Sequence, residues 1–158
     1  MSGSPSYGIP SEELAGGVGA PDAADMQAIR NLFLREEPLV EEAVFDSALA
    51  PRELHIQFTD GIGEASWSRF DITWYTTGAY RFHHVDEDGV SWRFDRHPND
   101  HSPERHFHEP PAAASKTAQQ SCITVEEPQL VARAVLNLWR RAYETDSVAE
   151  LNNAQDPP

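Results

Sequence analysis

The alternation of apolar and polar positions outlines a sheet. Leu54, Ile56 and Phe58 alternate with Glu53, His55 and Gln57 and run into Thr59-Asp60-Gly61, so a half-buried strand followed by a turn is expected at 54–58. Residues 65–75 repeat the pattern, with Phe70, Ile72 and Trp74 on one side. Residues 80–85 and 90–94 alternate on either side of Asp86-Glu87-Asp88-Gly89, which predicts a β-hairpin. A three-residue loop, Glu87-Asp88-Gly89, with Gly89 left-handed, sets Phe82 opposite Phe94 and His84 opposite Trp92. Arg81 then faces Asp95, and His83 faces Arg93. A four-residue loop would set Phe82 against Arg93 and turn the side chains to the wrong faces, so that register is rejected. The hairpin therefore has an aromatic face and a polar face, and His97 joins the polar one if the strand runs on to Pro98.

Helical spacing occurs twice. Met26, Ile29, Leu32 and Phe33 recur behind Asp22 and Asp25, either of which can cap the helix, and the helix ends before Pro38. Pro128 suits a first helical turn, with Glu126 and Glu127 at the positive end and Arg140 and Arg141 at the negative end. In this second helix Gln129, Arg133, Asn137, Arg140 and Glu144 form one polar stripe. The remaining apolar surface, with Val131, Val135, Leu136, Leu138, Trp139 and Tyr143, is wider than one sheet face needs. Deep burial, or a partner such as a second copy docking there as a homodimer, would account for it. Residues 39–45 fit strand or helix and are assigned to a strand; residues 121–125 are assigned to a last short strand. Residues 100–120 have no usable period and read as a loop, histidine-bearing to His108 and a linker over 110–120. Residues 1–21 read as a disordered arm and 145–158 as a fraying tail. The expected fold is one α+β domain over 22–144: a curved antiparallel sheet of five or six strands, an N-terminal helix and a C-terminal amphipathic helix against one face.

Composition narrows the setting. The chain has 158 residues and a formal charge of −14, from 26 acidic and 12 basic residues, and Lys116 is its single lysine. Acidic excess with so little lysine fits a protein of a high-salt cytoplasm, and in ordinary salt it opposes nucleic-acid binding. The excess is uneven, however, and the stretch 67–110, rich in arginine and histidine, is the least hostile to an anion. Cys122 is alone, so no internal disulfide can form, and a reducing, cytoplasmic location is expected. No apolar run approaches a membrane span, and the N-terminus lacks signal-peptide order.

Candidate chemistry is concentrated in residues 80–108, which hold six of the seven histidines. As a metal-free acid–base site, the polar hairpin face could cleave RNA through its own 2′-hydroxyl, which requires a base, an acid and a cation for the phosphorane oxygens. His83, His97 and Arg93 or Arg81 supply those types, and Asp95 could orient an imidazole. His106 and His108 would join them if extended. As a metal site, His97, His101, His106 and His108, with Asp95, could hold zinc or a similar ion, although the spacing matches no closed zinc motif. A solvated sheet face with an Arg81–Asp95 pair is the alternative to both. Trp67, Trp74 and Trp92 could stack on bases but fit a core equally. There is no phosphate-binding glycine loop and no Gly-x-Ser-x-Gly elbow.

Tyr80-Arg81-Phe82-His83, an acidic turn with Gly89, Arg93-Phe94-Asp95, His97-Pro98 and the cluster ending His106-Phe107-His108 together resemble the TumE-type toxins of toxin–antitoxin systems. The family pattern is Tyr-x-Tyr-His, an Asp-Gly turn, Arg-Tyr-Asp-Asn and a Pro-His-His run followed by further histidines. The resemblance covers roughly residues 54–108 and, weakly, the closing helix. It implies a toxin-like protein paired with a small helix-turn-helix antitoxin. RNA as target, with His83, Arg93, Asp95, His97, His106 and His108 as catalytic candidates, is an analogy with other toxins. This chain departs from the pattern at Arg96, where the family has Asn, and at His97-Pro98-Asn99-Asp100-His101, where it has Pro-His-His. The competing class is a non-catalytic binding or regulatory protein whose apolar last helix docks a partner.

Overall fold

In a computed structural model, which describes residues 19–97 and 104–154, two helices pack on one face of a seven-stranded antiparallel sheet. The strands follow chain order as a meander: β1 (Val40–Phe45), β2 (Leu54–Phe58), β3 (Ser68–Trp74), β4 (Tyr80–Asp86), β5 (Ser91–Arg96), β6 (Arg105–His108) and β7 (Gln119–Gln120). The helices are α1 (Ala23–Glu36) and α2 (Pro128–Thr145). The α+β class holds, but the strand count is seven rather than five or six.

Two corrections account for the difference. His106 and His108, assigned by sequence to a loop, lie on β6, which pairs with β5 as Arg93↔His108, Phe94↔Phe107 and Asp95↔His106. A strand of four residues offers too few alternations for a period to be read. The last strand lies at Gln119–Gln120, inside the expected linker, whereas residues 121–125 pair with no strand. His106 pairs with Gln120 across that edge.

The β4–β5 hairpin adopts the expected register: Phe82↔Phe94, Arg81↔Asp95, His83↔Arg93 and His84↔Trp92. Gly89 has φ 81°, and its N–H donates to the Asp86 carbonyl. Asp86 Oδ1 also accepts from the N–H groups of Asp88 and Val90, so the turn's backbone donors are satisfied locally. Strand β1, the ambiguous segment, forms one edge of the sheet, with a register shift near Glu42.

Helix α1 is capped by Asp22, whose Oδ1 accepts from the Asp25 N–H at 3.0 Å. It stops at Glu37, which is extended because Pro38 follows. Its apolar stripe of Met26, Ile29, Leu32 and Phe33 is fully buried, each residue contributing about 1.5–3 kcal/mol of apolar burial. Phe33 meets Phe58 and Phe70 at ring-centroid distances of 6.4 and 5.8 Å. Polar groups join the two helices: Arg133 pairs with Glu36, and Arg140 with Glu37, a carboxylate that also accepts from the Leu39 N–H.

The wide apolar surface of α2 is covered within the chain. Trp139 is fully buried with its ring 4.5 Å from Phe58, and Val131, Val135, Leu136 and Leu138 join the same core. Tyr143 stacks on Trp139 and donates to Asp60 Oδ2 at 2.6 Å. Deep burial therefore explains the width, and no second copy is required to cover it. Beyond α2 the chain, expected to fray, folds back as far as residue 154. Leu151 is buried, Asn152 Oδ1 accepts from the Cys122 N–H at 2.7 Å, and Arg141 donates to the carbonyls of Glu150 and Asn153. Among the described residues no helix is long and apolar enough to cross a membrane. Of the arm expected over residues 1–21, residues 1–18 lie outside the described residues, while Pro21 bridges to Tyr75 and the Ala20 carbonyl accepts from the Thr76 N–H at 2.8 Å.

His84, on the aromatic face, stands apart from the other histidines. It stacks on Trp92 at 4.6 Å, is 1% exposed, and neither ring nitrogen has a hydrogen-bond partner among the described residues. Burial, reinforced by neighbouring His83, pushes its pKa down from 6.5 to about 3, so the folded protein holds it neutral. Below pH 6.5 the unfolded chain binds a proton there that the folded chain refuses. Stability therefore falls as pH drops from 6.5 toward 3, by about 1.4 kcal/mol per unit once the unfolded imidazole is charged. Thermal melts at pH 7.5 and pH 5 are expected to differ by about 2 kcal/mol from this group. His84→Phe should flatten that part of the profile, and an unchanged acid slope in the variant would refute the assignment.

Candidate functional site: a row of charged and imidazole side chains across the sheet

With the helices on the aromatic face, the opposite face of β2–β6 presents the polar members of each alternation. Register aligns them into rows running across the strands. One long row is His55–Asp71–His83–Arg93–His108, one residue from each of five consecutive strands. Four strand spacings make it about 19 Å long. Beside it runs Thr73–Arg81–Asp95–His106–Gln120. His97 lies two residues beyond Asp95, just past β5, with its ring 5.2 Å from that of His106.

Asp95 is the most buried charge on this face, its side chain 3% exposed. Arg93 Nε donates to Oδ2 at 2.8 Å, Arg81 Nε stands 3.4 Å from Oδ1, and His108 Nε2 lies 3.2 Å from Oδ2. The imidazole contact is an ion-pair distance rather than a well-directed hydrogen bond, since His108 Nε2 does not meet hydrogen-bond geometry, and on the other oxygen Oδ1 and Arg81 do not meet it either. Burial alone would raise the Asp95 pKa. The His108 imidazole and the charges of Arg81 and Arg93 outweigh burial and hold the carboxyl below its ordinary value. His108 Nδ1 lies 3.3 Å from the Ala114 carbonyl, so both of its ring nitrogens face acceptors.

The other histidines of the face differ in access. His106 is 6% exposed, and burial followed by the nearby imidazoles of His97 and His108 lowers its pKa. His83 is half-buried at the centre of the long row, and burial first, then Arg93, lowers its pKa from 6.5. A neutral imidazole with an accessible edge, next to exposed Arg81, is equipped to accept a proton.

The structure thus places His83, Arg93, Asp95, His97, His106 and His108 on one face. His101 lies outside the described residues. Among the described residues no three His, Cys, Asp or Glu side chains form a group that could hold a metal ion, so His97, His106 and His108 do not make up a donor set together. Trp74 and Trp92 belong to the core, which removes them as base-stacking platforms.

Sequence reading missed a second cluster at the β2–β3 end of the row. Arg69 Nε and Nη2 donate to the two oxygens of Asp71 at 2.8 and 3.2 Å, and His55 Nδ1 lies 2.6 Å from Asp71 Oδ1. This repeats the arrangement at β5, where Arg93 stands two residues before Asp95 and an imidazole approaches from the next strand. The signal was present as Arg-x-Asp spacing at 69–71 and 93–95, but only strand pairing shows that the two motifs share a face.

The TumE toxin family, described as Toxin TumE, matches residues 29–144, from the middle of α1 to the end of α2. The chain belongs to the TumE toxin family. Membership implies an antitoxin partner. No curated protein and no solved structure matches the chain. Within the TumE pattern, the departure at Arg96 falls on the helix side of the sheet. Arg96 Nε donates to Glu104 Oε2 at 2.5 Å and Nη1 to the Gly78 carbonyl at 3.0 Å, so it ties β5 to its surroundings and leaves the polar row untouched.

Proposed function

We propose that this TumE protein is an RNA-directed toxin that acts from the polar sheet face, as an endoribonuclease needing no metal ion, and that a small helix-turn-helix antitoxin neutralises it in the cytoplasm. The observation that supports this is the row itself: His83 lies between Asp71 and Arg93, with a buried Asp95 and two further histidines on the next strands. In a chain of charge −14, this face sets Arg69, Arg81 and Arg93 against Asp71, Asp95 and Glu53, so it is balanced rather than acidic and repels phosphates less than the rest of the chain.

Attack of a ribose 2′-oxygen on its own phosphorus needs a base for the hydroxyl proton, which His83 provides while neutral. Arg81, with its side chain 54% exposed, can meet the charge on the non-bridging oxygens. Asp95 orients Arg93, and His108 packs against the same carboxylate. His106, His108 and His97 complete the imidazole cluster at the β5–β6 end. Against the reading of α2 as a docking helix, Val131, Val135, Leu136, Leu138 and Trp139 are buried in the chain, and of its large aliphatic side chains Leu130 is the exposed one.

Expression without the antitoxin should arrest growth, and co-expression should restore it. The purified chain should cut RNA to a 2′,3′-cyclic phosphate and a 5′-hydroxyl, undiminished by EDTA. His83→Ala should lower the rate by about 100-fold or more. Growth arrest with cellular and synthetic RNA left intact would overturn RNA as the target.

A further inference from the structure

The clusters at the two ends of the row differ in what a substrate can reach. His108 is 6% exposed in its side chain, with Nδ1 against the Ala114 carbonyl and Nε2 against Asp95. Neither nitrogen is presented to a ligand. His55 is 31% exposed; its Nδ1 is fixed by Asp71, which Arg69 holds from the other side. Its Nε2 lies 3.4 Å from Glu53 Oε1, a longer contact to a side chain that is itself 40% exposed, so this nitrogen is held less tightly than Nδ1. A carboxylate on one imidazole nitrogen sets ring orientation and tautomer and leaves the other nitrogen for proton exchange.

Position along the rows points the same way. His55 and His83 share one row, two strands apart, so their backbones are about 10 Å apart and both side chains project to one side. His97 lies four residues along the chain from Arg93, the partner of His83, or about 13 Å down the strand direction. Among the described histidines of this face, His55 is the accessible one that shares a row with His83.

We infer that His55 is the general acid that completes the site, that Asp71 and Arg69 are its positioning residues, and that His108 is a positioning residue for Asp95. This rests on the RNA-cleaving reading above. In the step, the 2′-oxygen forms a bond to phosphorus while His83 takes its proton. The bond from phosphorus to the 5′-oxygen breaks, and the proton on His55 Nε2 passes to the leaving oxygen. The products are a 2′,3′-cyclic phosphate and a 5′-hydroxyl, with no water or oxidant consumed. The substrate class is single-stranded RNA laid across the strands, because the ribose and the leaving nucleoside must occupy His83 and His55 in turn.

A leaving group that departs without a proton separates this role from a structural one. The full-length chain would be assayed on the dinucleotide UpA and on uridine 3′-(4-nitrophenyl phosphate), whose nitrophenolate needs no acid. His55→Ala should lower UpA cleavage by about 100-fold or more and leave nitrophenyl ester cleavage within about a factor of ten, whereas His83→Ala should lower both. His55→Gln, which can still bond to Asp71, should show the same selective loss with an unchanged melting temperature. Equal loss on both substrates, or full activity in both His55 variants, would overturn the assignment and leave RNA cleavage standing. The same selective loss in His108→Gln instead would place the acid on β6. A native chain that cleaves neither substrate would overturn the RNA-cleaving reading and this assignment with it.

Discussion

Asp95→Ala is expected to destabilise the protein by about 3–5 kcal/mol, the usual consequence of removing one partner of a buried ion pair and leaving the others charged. The carboxylate is 3% exposed and faces Arg93, Arg81 and His108, and two of those three are themselves largely buried. Arg93, at 16% side-chain exposure, would lose the acceptor of its Nε, and His108 would keep only the Ala114 carbonyl. For a domain of this size the loss corresponds to a fall in melting temperature of roughly 10 °C or more. Arg81→Ala is the control. That side chain is 54% exposed, so its pair with Asp95 is screened by water, and its loss should cost less than about 1 kcal/mol. The pH dependence gives an independent check. The Asp95 pKa is held below 3.8, so its contribution is complete above that value and is lost only as pH falls through the lower one. Acid loss between pH 6.5 and pH 5 therefore belongs to the imidazoles whose pKa values are lowered, fully buried His84 first and His83 and His106 after it, and the His84 share should survive in Asp95→Ala. A stability within about 1 kcal/mol of the native chain would show that Asp95 does not hold the β5–β6 cluster together.

Trp139→Ala should cost about 3–5 kcal/mol, in keeping with removal of a large aromatic side chain from a core. The indole is fully buried, meets Phe58 edge-on at 4.5 Å and stacks on Tyr143 at 5.1 Å, with the Arg140 guanidinium 5.5 Å from its centre. Its contact with Phe58 joins α2 to the sheet beneath it. Because this burial is intramolecular, the native melting temperature should not depend on protein concentration, and neither should that of the variant. Denaturant or thermal melts over a hundredfold range of concentration would decide the point. A melting temperature that climbs with concentration in the native chain and ceases to do so in Trp139→Ala would show that a second copy covers the helix.

The hairpin register was legible because it is local. Alternation on both arms and a glycine at a position needing positive φ leave one pairing that keeps Phe82 and Phe94 on the same side. The helices were legible for the same reason: the apolar period of α1, the Asp22 cap and the stop imposed by Pro38 all lie within a few residues of one another. The short strands β6 and β7 were not. Four and two residues are too few to display a period, and what makes them strands is the open edge of β5 beside them. His106 and His108 therefore read as loop residues although the sheet buries them. The breadth of the apolar surface on α2 was equally visible, but its cause was not, because both α1 and the sheet press on that helix from residues roughly a hundred positions away.

By itself, the sequence determined which side of β2, β3, β4 and β5 is polar and that the histidines are concentrated in residues 80–108, since side-chain direction in a strand follows a period of two and needs no distant information. Only the tertiary structure decided which of those polar sides lie next to one another. Strand order put β2 and β3 beside the hairpin and joined His55, Asp71 and Arg69 to His83, and it put β6 beside β5, where His108 and His106 close around Asp95. It also separated the histidines by access, leaving His55 half-exposed and enclosing His84 in the core. The cause is physical: exposure and proximity depend on contacts between segments distant in the chain, and those contacts are set by burying one continuous apolar face under two helices, a condition that no local stretch records.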